Sequence, residues 1–312
     1  MLLSYLKQII KFFLLDAMLG KFMTQSFGNN LLMHNLGTPK KPLFSIIIPT
    51  YNSWSTIHAC LQSIAIQNFK DFEVLILDNL SNDQTPAVVK EFNSKFLLYF
   101  FTQKDEGIYD AMNKGIARAK GEYLYFLGSD DTLFSNETLQ IVANEIAVSQ
   151  AKIIYGNVKM QGNSQLVNDG SIYGGEFDLK RLLEHNIPHQ AIFYHESIFK
   201  HLDHYNIKYP LFADHDLNLR ATSVYSFYYI PQIIANFTVG GSSTLLVDEQ
   251  FKKDKIRNFV NYFSSKIHSK KFISLRYYIK EAAFNGNHKV SPILRAYCVL
   301  IYSKLKFQSL FH

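Results

Sequence analysis

An α/β fold with a mostly parallel sheet and flanking helices is predicted by three features of the sequence. Between residues 43 and 135, short uninterrupted apolar runs alternate with segments of helical periodicity. Such runs are what strands buried on both faces require. Each run ends on polar residues, and in sheets of this kind ligands gather beyond the carboxyl ends of the strands. With 312 residues, 47% of them hydrophobic and 19% charged, the chain can build a sizeable core and lacks the bias of disordered sequences.

The elements follow in order. Residues 1–27 place Leu2, Leu3, Leu6, Ile9, Ile10, Phe13, Leu14 and Ala17 at helical spacing with lysines opposite, an amphipathic helix. Residues 28–42, with Gly, Asn and Pro, read as a linker. Strands are expected at 43–48 (LFSIII), 72–77 (FEVLIL), 96–101 (FLLYFF) and 123–127 (YLYFL), with helices over 55–66, 85–92 and 108–119 between them. Polar groups close three of these strands: Thr50-Tyr51-Asn52, Asp78-Asn79 and Ser129-Asp130-Asp131. From 151 the pattern is mixed. KIIYGNV and QLV suggest a hairpin, and helices near 176–185 and 212–223 precede a strand near 225–229. Three parts result: an N-terminal helix and linker over 1–42, a catalytic-type domain over 43–245, and a helical extension over 246–312.

The net charge of +6 is unevenly spread. From residue 251 onward there are 13 Lys/Arg and 2 Asp/Glu, whereas the preceding 250 residues are acidic on balance. A basic, aromatic-rich tail, with apolar anchors in ILRAYCVLIYSKLKF, suits an anionic membrane surface. It contains no nucleic-acid module, so no nucleic-acid partner is expected. Cys60 and Cys298 form neither a CxxC nor a zinc spacing, which fits a reducing, cytoplasmic compartment. No uncharged run of 18 residues is available to span a bilayer.

Two adjacent carboxylates after a buried strand are costly unless neutralised. Asp130-Asp131 on its own reads first as a turn or helix cap, with a site for a hard divalent cation shared with phosphate oxygens as the alternative. Asp78 fits an Asx turn, or a carboxylate accepting from a base edge or a sugar. Asp105 and Gly107 suit the start of a helix whose apolar stripe is Ile108, Ala111, Met112, Gly115, Ile116 and Ala119. Asp110 lies opposite that stripe, either solvated or facing a ligand. Neither GxGxxG nor GxxxxGK[ST] occurs.

The segments SIIIPTYNSWSTIHACLQSIAIQNFKDFEVLILDNLSNDQT and DEGIYDAMNKGIARAKGEYLYFLGSDD resemble glycosyltransferase family 2, inverting nucleotide-sugar enzymes of the GT-A fold. The likeness is nearest to bacterial members that build capsule, lipopolysaccharide or other surface glycans. It is specific over 43–135 and looser to 245. The resemblance implies that Pro49, Thr50, Tyr51 and Asn52 wrap the nucleotide base, that Asp78 holds a uracil edge, and that Asp110 lies near the nucleotide-sugar. It implies a DxD metal motif at Ser129-Asp130-Asp131, with Asp131 ligating Mn²⁺ or Mg²⁺. Ser129 departs from the strict pattern. His189, in PHQAIFY, has either a diphosphate or acceptor role or is a hydrogen-bonded loop histidine. The segment FTVGGSST (237–244) looks like the family's flexible glycine segment.

FADHDLNLR offers two candidate bases. On a helix Asp214 falls beside Leu217 and Ala221, while Asp216 stands four residues before Arg220, the spacing of an ion pair expected to depress its pKa. The resemblance points to Asp214 as well. The expectation is thus an enzyme that moves a sugar from a UDP-sugar to a glycan or lipid-linked acceptor, cytoplasmic and peripheral on the inner face of the cell membrane. The rivals are a nucleotidyltransferase, whose basic glycine-rich loop PTYNSWST lacks, and an inactive glycan- or membrane-binding module.

Overall fold

The computed structural model describes residues 41–164, 167–240, 247–286 and 290–311. The expected N-terminal amphipathic helix lies outside the described residues. Residues 41 onward form one compact unit.

The first half alternates strand and helix: β1 (Phe44–Thr50), α1 (Ile57–Ala65), β2 (Phe72–Asp78), α2 (Thr85–Lys90), β3 (Leu97–Thr102), α3 (Ile108–Ile116) and β4 (Tyr123–Phe126). Every residue of β1, β2 and β4 is buried, which is why these runs show no alternation. The pairings β3-β2-β1-β4 are all parallel. Thr50 sits opposite Asp78 and Asp78 opposite Thr102, so the carboxyl ends of the strands are level. β3 is the sheet's outer strand and is only half buried. Arg118 covers Phe101 at 5.0 Å and Lys120 covers Tyr99 at 5.3 Å, cations that shield an otherwise sticky edge.

The second half comprises β5 (Thr132–Leu133), α4 (Thr138–Ser149), β6 (Ile153–Gln161), β7 (Ile172–Tyr173), α5 (Leu179–Glu184), β8 (Ile192–His195), α6 (Ser197–Leu202), α7 (Ala213–Thr222) and β9 (Tyr228–Thr238). β8 pairs antiparallel with both β4 and β6, and β9 runs parallel to β6, extending one sheet in the order β3-β2-β1-β4-β8-β6-β9-β5. Three expectations change. β6 forms its hairpin with Ile172–Tyr173, whereas Val167 of QLV is irregular and Gln165 and Leu166 are not among the described residues. The strand near 225–229 runs on to Thr238. Pro231 interrupts its apolar pattern, but it falls within a bulge, where the register jumps between Tyr155 and Asn157 and no ladder donor is needed. Helices α4 and α6 have no counterpart in the expected elements.

The basic tail forms α8 (Glu249–Phe263), α9 (Arg276–Phe284) and α10 (Pro292–Gln308). Asp248 caps α8 and Ser291 caps α10. Ile256, Phe259, Val260, Phe263, Ile279, Ala282, Cys298, Ile301 and Leu305 are buried, so the tail carries a core of its own. It is also joined to α7. Asn258 Nδ2 and Tyr262 OH donate to Asp216 at 2.9 and 2.7 Å. Asp254 accepts from Lys208 Nζ at 2.6 Å and Tyr209 OH at 3.1 Å. Among the described residues no helix is long and apolar enough to cross a membrane.

Candidate active site

A cavity of about 540 Å³ opens beyond the carboxyl ends of β1 and β4. Pro49, Thr50 and Tyr51 line one side; Gly128, Ser129, Asp130 and Asp131 line another; Tyr109, His189, Gln190 and Thr238 complete the wall facing α7 and β9. A larger cleft of about 730 Å³ lies between α5, the end of α7 and Lys266–Leu275. It gathers no pair of carboxylates, and the strand ends point to the smaller cavity.

The loop after β1 is braced from within the sheet. Asn52 has a left-handed backbone (φ 46°), its N–H donates to Ser81 Oγ at 2.8 Å, and its Oδ1 accepts from Asn82 N at 3.0 Å. Asp78 is fully buried and accepts from the backbone N–H and hydroxyl of Ser81. Ser129 Oγ lies 2.9 Å from Ser53 Oγ, tying the β1 and β4 loops together where the strict motif has a carboxylate. Tyr51 stands exposed at the mouth.

Asp131 is nearly inaccessible, with Oδ1 accepting from Thr238 N at 2.8 Å and Oδ2 from Gln190 Nε2 at 2.7 Å. Burial, reinforced by the neighbouring charge of Asp130, pushes its carboxyl up to about 6. Both carboxylates crowd the bare face of Gly128: a Cβ there would lie 2.5 Å from Asp131 Oδ2 and 2.8 Å from Asp130 Oδ1. Neither forms an ion pair among the described residues. Two converging carboxylates, one held against its preference for a proton, fit a divalent cation. Among the described residues no three His, Cys, Asp or Glu side chains surround one point, so phosphate oxygens of a ligand would have to complete the shell.

Asp214, in the first turn of α7, is buried behind this wall. Tyr109 OH donates to its Oδ1 at 2.9 Å, and His189 Nδ1 lies 3.4 Å from Oδ2. Both of these side chains line the cavity, whereas Asp214 does not. Burial and the Asp214 charge keep the Tyr109 phenol protonated and donating. His215 is held neutral by burial, which pushes it down to about 4, and it bonds Leu182 O away from the site.

The structure thus brings Pro49, Thr50, Tyr51, Ser129, Asp130, Asp131 and His189 to one cavity, with Asp214 one side chain behind it. Asn52 and Asp78 serve the loop beneath it. Asp110 is turned to its own helix: Lys114 Nζ reaches it at 2.7 Å and Glu106 N at 3.0 Å, and these bonds outweigh burial to hold it below the usual carboxylate range. The expected Asp216–Arg220 pair is present at 3.8 Å, but burial dominates and raises the Asp216 pKa, the reverse of the expected depression. Tyr109, Gln190 and Thr238 were not foreseen. Gln190 stands next to His189, and Tyr109 next to Asp110, but neither residue type announces a charge partner 59 or 105 positions away.

A sheet of this topology, with carboxylates gathered beyond its parallel strand ends, has the GT-A-like fold. Solved structures share that fold: S. aureus TarS 1–349 in complex with UDP-GlcNAc has TM-score 0.55 and 21% identity, covering 84% of this chain and 71% of that one. The mannosyltransferase PcManGT from Pyrobaculum calidifontis, in complex with GDP-Man and Mn²⁺, has TM-score 0.51 and 15% identity, covering 84% and 74%. Residues 45–201 match the family described as Glycosyl transferase family 2, and the chain belongs to that family. It is 40% identical over 219 residues to the PGL/p-HBAD biosynthesis glycosyltransferase of Mycobacterium bovis, covering 68% of this chain and 83% of that protein. Chondroitin synthase of Escherichia coli is 27% identical over 237 residues, covering 74% of this chain but only 34% of its own.

Proposed function

We propose that this protein transfers a sugar from UDP-sugar to a glycan or lipid-linked acceptor of a bacterial surface polysaccharide, with inversion at the anomeric carbon. The observation that carries the reading is the meeting of Asp130, Asp131 and the Tyr109–Asp214–His189 group around one cavity beyond the strand ends. A structural neighbour bound to UDP-GlcNAc supports uridine diphosphate as the carrier, and a Mn²⁺-bound neighbour supports a divalent cation.

Asp131, with Asp130 beside it, would hold Mn²⁺ or Mg²⁺, whose charge would offset that of the departing diphosphate. The other roles belong to the chain. Pro49, Thr50, Tyr51 and Asn52 shape the base-binding side, with Asp78 fixing their loop from below. Ser129 is neutral and offers a hydroxyl where the strict motif has an acid. Asp214 is the base, reached from the cavity through His189: Nε2 would take the acceptor's hydroxyl proton while Nδ1 passes one to Asp214, whose carboxylate Tyr109 holds in orientation. His189 lies between Asp214 and the cavity, with Nε2 unpartnered and available to a phosphate or acceptor oxygen. Asp110 is assigned a supporting part at the donor through the turn it closes with Glu106. The enzyme works in the cytoplasm, at the anionic inner face of the cell membrane.

Release of UDP from a panel of UDP-sugars with and without Mn²⁺ tests the reading. Turnover of one sugar that requires the cation and is lost in Asp131→Asn is the expected result. No turnover of any nucleotide-sugar by a folded, cation-loaded protein would overturn it.

A further inference from the structure

We infer that the outward face of α10 is a docking surface for an anionic lipid bilayer. The inference deepens the membrane part of the reading above and rests on that part alone.

α10 is apolar on two opposite sides. Cys298, Ile301 and Leu305 are buried against the rest of the tail. At about 100° per residue, Ile293, Ala296, Leu300 and Phe307 fall on the other side. Ile293 is 85% exposed, Leu300 71% and Phe307 62%, and Leu310, just past the helix, is 73% exposed. Single exposed apolar side chains are ordinary, but large ones aligned at seven-residue spacing form a continuous stripe. From Ile293 to Phe307 that stripe is about 21 Å long.

The margins of the stripe are cationic. Exposed Lys304 lies on one flank and exposed Lys306 on the other, while Arg295 is turned to the carbonyls of Ala283 and Asn285. The sequence has no Asp or Glu after Glu281. This charge pattern decides between occupants. A second copy docked stripe to stripe would set lysines against a helix with no carboxylate to meet them. Phosphate headgroups meet them on both flanks while the apolar stripe enters the acyl boundary, and lysine stems can reach outward along it. The core of the protein lies behind the helix, so the helix can lie flat in the interface without unfolding anything.

The test uses the full chain with an environment-sensitive fluorophore at Leu300→Cys. Cys60 and Cys298 are buried, so the introduced thiol is the accessible one among the described residues. Adding vesicles of phosphatidylglycerol and phosphatidylcholine should shift the emission to the blue, less so at high salt or with phosphatidylcholine alone. The same label at Val148→Cys, exposed on α4, should not respond. In flotation, Leu300→Glu with Phe307→Glu should weaken vesicle binding by roughly tenfold or more. UDP-sugar turnover in solution should be unchanged, showing that the variant folds. Wild-type protein that binds no vesicles overturns both this inference and the membrane reading. Wild-type binding with a silent label at 300, or an unweakened double variant, overturns this face alone and moves the contact elsewhere on the chain. A dimer seen by sedimentation and broken by the double variant, without change in vesicle binding, assigns the stripe to a second copy and also overturns the inference.

Discussion

The carboxyl of Asp131 sits where its charge is unwelcome, and that has a measurable cost. Its folded pKa is about 6, against an unfolded value near 3.8. Between those values the folded state keeps a proton that the unfolded chain has released, so stability falls as pH rises from about 4 to 6. A shift of that size corresponds to roughly 2–3 kcal/mol at neutral pH. Asp131→Asn should therefore abolish turnover yet raise the metal-free melting temperature at pH 7, the gain vanishing near pH 4. Gln190 Oε1 has no partner in the present arrangement, so turning that amide would satisfy the new one. A melting temperature that falls at both pH values would refute this account. Asp214→Asn should lower kcat by on the order of 10²–10⁴ with the KM for the nucleotide-sugar within about threefold, measured at saturating acceptor. At this scale the sequence was legible where chemistry is written in residue type: paired acids, an acid after a strand, an acid on a helix. It was not legible where function depends on who faces whom. Nothing local says that Tyr109 reaches Asp214, or that Thr238 caps Asp131.

Helix α7 has two sides with different duties. One presents Asp214 to Tyr109 and His189; the other buries Asp216 against α8. Tyr262→Phe removes a hydrogen bond to a buried carboxylate and should cost about 1.5–3 kcal/mol in denaturant unfolding. It should leave kcat within about threefold, because Asp214 keeps its own partners. A large loss of kcat without loss of stability would instead place Asp216 in the chemistry. Strands β1, β2 and β4 were readable because burial on both faces leaves an unbroken apolar run. β9 was read only near 225–229; it runs on through Pro231, which the bulge opposite Gly156 tolerates. The charge of the tail pointed to a surface role but did not show Asn258 and Asp254 as its links to the rest of the chain: a helix with many lysines can still bury its other face, and charge counts do not report which face that is.

Across the whole molecule, acid stability should have two opposed components. Asp254 is held at about 2: burial works upward, but bonds from Lys208 and Gln250 prevail. A depressed carboxyl contributes stability above its unfolded pKa and loses it as pH falls through about 2. Thermal melts from pH 7 downward should therefore show the Asp131 gain offset by His215, which the fold keeps neutral down to about pH 4 while the unfolded chain takes up a proton, and should fall steeply below pH 4; replacing His215 by Gln should uncover the rise. Lys208→Met should lower the melting temperature at pH 7 and make this fall shallower, because it raises the folded pKa of Asp254 and leaves the unfolded one unchanged. The bonds from Asn258 and Tyr262 to Asp216 have a further consequence, one of timing. These partners lie 42 and 46 positions downstream of Asp216. At a synthesis rate of 5–20 residues per second, the ribosome needs roughly 2–9 s to supply Tyr262 after Asp216 has been made. For that interval the nascent chain can assemble its parallel strands, but the helix bearing Asp214 still has Asp216 uncovered and without these two partners. Helix α7 is therefore braced only once residue 262 has been supplied, and a chain ended before residue 258 would carry the parallel strands with Asp216 lacking both partners.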